Sequence, residues 1–254
     1  MDLAQFLTEQ AQGYNQPNFI ADDPIQIPHR FSKLPDIEIA AFWTAMLAWG
    51  QRKTIIQKCT ELLAMMDNAP LDFMLGHTDS DLRPLTRFVH RTFNATDALY
   101  FVSFFAWYYR QYASLETAFA QYLRAESPHV GDALKGFHHL FFSLNDAPQR
   151  TRKHVATPER GSTCKRLNMF LRWMVRRDSN GVDFGLWQQI KPAQLLIPLD
   201  VHVERVSRAL GLLSRPQTDW KAVLELTENL RQIDPKDPVR FDFALFGLGV
   251  AGRI

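Results

Sequence analysis

A chain of 254 residues is long enough for one large core or two packed lobes. With 46% hydrophobic and 12% aromatic residues it excludes a disordered chain, and a net charge of +2 leaves only a mild overall pull toward a polyanion. Cys59 and Cys164 are too few for a disulfide framework or a four-thiolate metal or iron–sulfur site, so no metal or cofactor is expected and a reducing cytoplasm is the expected compartment.

The start, MDLAQFLTEQAQGYNQ, lacks the basic residues and apolar run of a signal peptide. No window approaches the about 18 to 20 uninterrupted apolar residues of a membrane span; ALYFVSFFAWYYRQY is broken by Arg110 and Gln111 and reads as a core helix. In chain order, Asp36 can cap a helix over IEIAAFWTAMLAW, and Gly50 can end or kink it. TIIQKCTELLAMM is a second helix, stopped by the DNAP turn. Further helices are predicted at 71–76, 97–112 with Thr96 or Asp97 as cap, 114–125, 131–143, 164–177, 201–210, 219–231 and 238–246. Pro238 suits the first turn of the last of these, and Gly247 and Gly249 are its stop. No apolar–polar alternation, hairpin dipeptide or internal repeat appears, so the fold class is all-α.

Charge is uneven along the chain. Residues 150–177 hold Arg150, Arg152, Lys153, Arg160, Lys165, Arg166, Arg172, Arg176 and Arg177 against the single acid Glu159. On a wheel of KRLNMFLRWMVRR, Lys165, Arg172 and Arg176 fall opposite Leu167, Phe170, Leu171 and Met174. Such a stripe is either an ordinary solvated face or a contact for phosphates, which each cation can neutralise with release of counterions.

The stretch IPLDVHVERVSRALGLL sets Asp200 in front of Val203, Val206, Ala209 and Leu210, one apolar helix face. A carboxylate there can accept from the free amides of the first turn, which by itself accounts for an Asp. Whether it also does chemistry is open on these residues alone.

LDVHVERVSRALGL resembles the Val-Asp-Thr-His-Val/Ile-x-Arg-Val segment of the helix-hairpin-helix DNA glycosylase superfamily, which includes endonuclease III, the adenine glycosylases and the 8-oxoguanine glycosylases. Asp200, His202, Val203, Arg205 and Val206 match, and Val201 stands where Thr is common. Gly161, four residues before Lys165 in GSTCK, resembles the end of the hairpin Leu-Pro-Gly-x-Gly-x-Lys-Thr-Ala. FWTAMLAWGQRKTIIQK resembles the Leu-Leu-Ser-Ala-Gln-Thr helix of endonuclease III, with Gln51 at the place of the Gln that enters the opened duplex. The likeness covers about 36–60 and 158–250, and RLNMFLRWMVRRD and FDFALFGLG look like an uncharacterised bacterial family placed beside these glycosylases.

The resemblance implies a two-lobed helical bundle of the glycosylase type. One lobe would be 36–196, carrying the hairpin-like segment, and the other 1–35 plus 197–254, with a cleft between them. Lys165 would be the nucleophile at C1′ of a deoxyribose, once deprotonated, and Asp200 the carboxylate that stabilises positive charge on the sugar. The DNA contacts implied are Gln51, Arg52, Lys53, Gly161, Ser162, Thr163, Arg166, Arg172, Arg176 and His202, with Trp49 and Trp173 stacking on a flipped base. The expected activity is a DNA glycosylase, with or without abasic-site lyase activity, removing a damaged base such as an oxidised purine. It would act as a monomer on double-stranded DNA, off the membrane; the alternative is a nucleic-acid binding protein that keeps the fold without catalysis.

Departures from the pattern are specific. Thr163 stands where the hairpin has its second glycine, no Leu-Pro-Gly precedes it, and the interval from Lys165 to Asp200 exceeds that of endonuclease III, as in the archaeal 8-oxoguanine branch. The four-cysteine cluster of endonuclease III is missing, and the adjacent His138 and His139 point to different helix faces, so neither supplies a metal site.

Overall fold

Helices make up the regular structure of residues 2–253, which the computed structural model describes. They are α1 (Leu3–Tyr14), α2 (Asn18–Asp22), α3 (Leu34–Leu47), α4 (Arg52–Ala64), α5 (Pro70–Gly76), α6 (Asp79–Leu82), α7 (Ala95–Tyr109), α8 (Glu116–Ala120), α9 (Gly131–Phe141), α10 (Lys165–Val175), α11 (Val201–Ala209), α12 (Trp220–Ile233) and α13 (Asp242–Val250). Short 3₁₀ turns join several of them, and no strand occurs among the described residues beyond an isolated bridge between His90 and Phe93. The all-α expectation holds. Among the described residues no helix is long and apolar enough to cross a membrane.

The chain divides into two compact units. One is Asp22–Gln121 with Gly136–Ala156; the other joins the chain up to Ala21, Tyr122–Lys135 and the chain from Thr157 onward. This differs from the division at 36–196, because the hairpin-like segment goes with the C-terminal helices. Trp220 N donates to Gly161 O at 2.9 Å, which ties the hairpin-like segment to α12, and Val130 N donates to Gln194 O at 2.9 Å, which ties Tyr122–Lys135 into the same unit. Ile197 N also donates to Thr227 Oγ1 at 3.1 Å.

In the first unit α3 is apolar all round and buried from Asp36 to Leu47. Its Phe42 and Trp43 meet rings of α7 and α9, with Trp43–Phe101 centroids 5.0 Å apart and Phe42–Phe137 5.5 Å. Phe141 closes this cluster at 4.3 Å from Phe104. The buried Glu38 is fully answered by Tyr109 Oη, Ser114 Oγ and Leu115 N at 2.6–2.9 Å. Two expected caps shift by a few residues: Asp36 accepts from Leu71 N at 2.9 Å, inside α3's first turn. Asn94 rather than Thr96 or Asp97 caps α7, in a reciprocal box with Asp97.

In the second unit α1 and α11 both pack on α13. α13 runs through Gly247 and Gly249 instead of stopping before them. A Cβ at Gly247 would stand 2.4 Å from the Tyr14 ring, and one at Gly249 would stand 2.8 Å from His202 Cβ. The glycines are there for close approach, a use that looks like a helix stop in the sequence.

Candidate functional site

Asp200 is the N-cap of α11, with Oδ1 accepting from His202 N and Val203 N, both at 2.9 Å. Its other oxygen, Oδ2, lies 3.8 Å from Lys165 Nζ. That separation is an ion pair rather than a hydrogen bond. The side chains are 16% and 27% exposed, so solvent reaches the pair. Capping therefore uses one oxygen and leaves the other turned to the lysine.

Two helix placements fix this geometry. α11 buries Val203 and Val206 and is tied to α13 by Arg205 Nη2 donating to Gly249 O at 2.6 Å. α10 begins at Lys165 and buries Leu167, Phe170, Leu171 and Met174, the apolar side read from the wheel. Both residues lie in the same compact unit, whereas the resemblance had assigned them to different lobes.

The polar side of α10 requires a correction. Arg172 and Arg176 are each 4% exposed, not a surface stripe. Arg172 pairs with Asp183 at 3.2 Å and with Asp242, and stacks 4.4 Å over Phe243. Arg176 pairs with Asp183 at 3.2 Å and Asp237 at 2.9 Å, and also with Asp178. The wheel identified the correct face, but Asp178 and Asp183 after α10, Asp237 before α13 and Asp242 within it cover that face with acids that lie outside 150–177. Arg150 likewise pairs with Asp97 within the other unit. Arg172 and Arg176 cannot contact DNA phosphates while so placed.

This buried network feels the accessible pair. Burial pushes the Asp242 carboxyl up to about 7 against the pull of Arg172; the Asp200 charge raises it further and Lys165 lowers it.

The hairpin-like segment takes its own form. Gly161, at φ +71°, closes a 3₁₀ turn over Pro158–Arg160. The next left-handed residue is Cys164, at φ +50°, not Thr163, so the absent second glycine is not needed at its usual place. Ser162 Oγ accepts from Cys164 N at 3.1 Å, and Asn168 Nδ2 donates to Thr163 O at 3.1 Å. Cys164 is 2% exposed, and burial pushes its thiol up to about 12, which makes it a packing residue. Ser162, Thr163 and Arg166 are half-buried beside Lys165 in the chain.

His202 packs its ring edge-on to Phe246 at 6.0 Å, and its Nδ1 is buried without a hydrogen-bond partner. Trp173 is 1% exposed, so it is a core residue with no face open to a base, which corrects the stacking role. Trp49 is half-buried between His90 at 4.9 Å and His154 at 5.7 Å, in the other unit. Gln51 and Lys53 are exposed and Arg52 half-buried at the start of α4, also in that unit. His138 is buried and bonded to Val155 O at 2.7 Å. No group of three metal-ligating side chains occurs among the described residues.

Sequence reasoning missed the four aspartates around Arg172 and Arg176. One signal was available, an acid opening the apolar run of FDFALFGLG, where Asp242 now lies buried.

The model of a family described as "Protein of unknown function (DUF2400)" matches residues 23–251. No curated protein and no solved structure matches the chain.

Proposed function

From the premise that this chain belongs to the DUF2400 family, a family of unknown function, we propose that it is a DNA glycosylase acting through Lys165 and Asp200. The substrate is a damaged base such as an oxidised purine, removed with or without cleavage of the strand at the abasic site. The observation that carries this reading is the Asp200 carboxylate, locked by its cap through one oxygen and held 3.8 Å from an accessible lysine amine through the other.

Base loss from C1′ builds positive charge on the sugar, and a fixed carboxylate beside it lowers the cost of that charge. Asp200 Oδ2 is also the base within reach of the Lys165 ammonium. With its proton given up to Asp200, Nζ attacks C1′, the C1′–N bond breaks, and the base leaves with the bonding pair and takes that proton from Asp200, which restores the carboxylate as charge builds on the sugar. Opening of the sugar ring then gives a Schiff base at C1′. Loss of a proton from C2′ and of the 3′ phosphate cleaves the strand.

Gly161, Ser162, Thr163 and Arg166 are the phosphate contacts in this reading and His202 a further DNA contact beside them, with Gln51, Arg52 and Lys53 as DNA contacts of the other unit. The protein acts as a monomer in a reducing cytoplasm, where the buried thiols Cys59 and Cys164 stay free. The test is base release and borohydride trapping over a panel of duplexes carrying an abasic site, 8-oxoguanine or other lesions. Expected is a covalent adduct with the intact protein and none with Lys165→Ala. Absence of both base release and adduct over the whole panel would remove the enzymatic reading. Lesion-independent binding that fades with salt would then assign a non-catalytic nucleic-acid binding protein.

A further inference from the structure

With Arg150, Arg172 and Arg176 held in ion pairs, the unpaired cations of this chain lie elsewhere. Between Asp81 and Asp97 the sequence LRPLTRFVHRTFNAT carries Arg83, Arg87 and Arg91 and no acid. All three side chains are exposed, and among the described residues their guanidinium groups have no hydrogen bond and no carboxylate partner. An ordinary solvated face mixes signs; this one does not.

Two contacts place the stretch from Phe88 to Arg91 against Lys58 of α4 and Gly50 in the loop before it. Lys58 Nζ lies 5.6 Å from the Phe88 ring centre, and the Arg91 guanidinium crosses Gly50, with Nη1 2.6 Å from where a Cβ would stand. Gly50 has φ +106°, so any side chain there would be strained as well as crowded. Arg91 is itself left-handed, at φ +54°. His90 is 2% exposed and packs edge-on against the Trp49 ring, with centroids 4.9 Å apart. Arg91 is therefore presented at a fixed place, next in space to the loop that leads into the exposed Gln51 and Lys53. Lys58 does not add to this charge, because Glu61 answers it at 2.7 Å.

We propose that Arg83, Arg87 and Arg91, together with Lys53, form a surface that binds the phosphate backbone of duplex DNA. Charge complementarity selects the occupant: guanidinium groups without internal partners give up no ion pair on binding, and their planar donors fit phosphate oxygens. The surface rests on nucleic acid being the partner, as in the reading above, but not on any chemistry at Lys165.

Binding of an undamaged fluorescent duplex, followed by anisotropy from low to moderate salt, tests it without reference to base release. Each of Arg83→Gln, Arg87→Gln and Arg91→Gln should lower the slope of log affinity against log salt by about 0.9, and the triple variant by about three times as much. Arg87→Lys should keep the slope, and Arg110→Gln, an exposed cation outside the segment, should leave it unchanged. Arg83 and Arg87 keep the test sharp if substitution of Arg91 disturbs the turn over Gly50. A wild-type slope retained by the triple variant, or lowered equally by Arg110→Gln, overturns the surface while leaving DNA as the partner. A wild-type protein that binds no duplex at low salt overturns both.

Discussion

At Asp200 one carboxylate oxygen is committed to the backbone and the other is turned to Lys165, so its two roles separate by substitution. Asn caps a helix about as well as Asp, whereas Ala loses about 1 kcal/mol. Asp200→Asn should therefore unfold at the wild-type urea midpoint while base release falls by roughly a hundredfold or more. Asp200→Ala should lose both. Equal loss of stability in the two variants would mean that Oδ2 holds the fold together through Lys165. The cap and the apolar face of α11 were legible in the sequence as local patterns, whereas the pairing of Lys165 with Asp200 was implied only by the family resemblance. Arg172, Arg176 and Trp173 were not, because a helical wheel sorts residues by face and is silent on what covers that face.

Among the elements, α13 sets the position of α11, since Gly249 lets His202 approach to where a side chain would stand. The nearest atoms are the His202 Cβ, carbonyl and backbone carbon at 2.8–3.2 Å, none of them a flexible tip. Gly249→Ala should thus push α11 outward, cost about 1–3 kcal/mol by overpacking, and move Asp200 away from Lys165. Thermal unfolding and trapping yield should fall together. Gly13→Ala is the contrast: a Cβ there meets nothing within 4 Å, and relief of a helical glycine should add up to about 1 kcal/mol. The length of α13 escaped the sequence reading because glycine marks both helix ends and close contacts. The α10, α11 and α12 boundaries were readable to within a few residues, from apolar spacing in all three and from the caps Asp200 and Asp219 in the last two.

For the whole molecule, two buried carboxyls give opposite dependences on pH. Burial opposes it, but the His154 ring 3.3 Å away and bonds from Asn94 N and Thr151 hold Asp97 at about 2, below its ordinary 3.8. Its contribution is present above that ordinary value and lost as pH falls toward 2. Burial raises Asp242 to about 7, so its neutral form favours the folded state, and that stability is lost as pH rises from 3.8 toward 7. Urea unfolding of Asp242→Asn should show a shallower decline than wild type over this interval; an unchanged decline would assign it to other groups. Net charge of +2 concealed this arrangement, since Arg172 and Arg176 are paired inside while Arg83, Arg87 and Arg91 lie on one exposed segment where no composition average would find them.

The most direct measurement is to reduce the protein with borohydride on a duplex containing an abasic site, digest it, and locate the adduct by mass. The expected result is a deoxyribose remnant on the peptide beginning the α10 run, at Lys165. A stable adduct on another lysine, or none when base release is seen, would contradict the assignment of Lys165 as the nucleophile opposite Asp200.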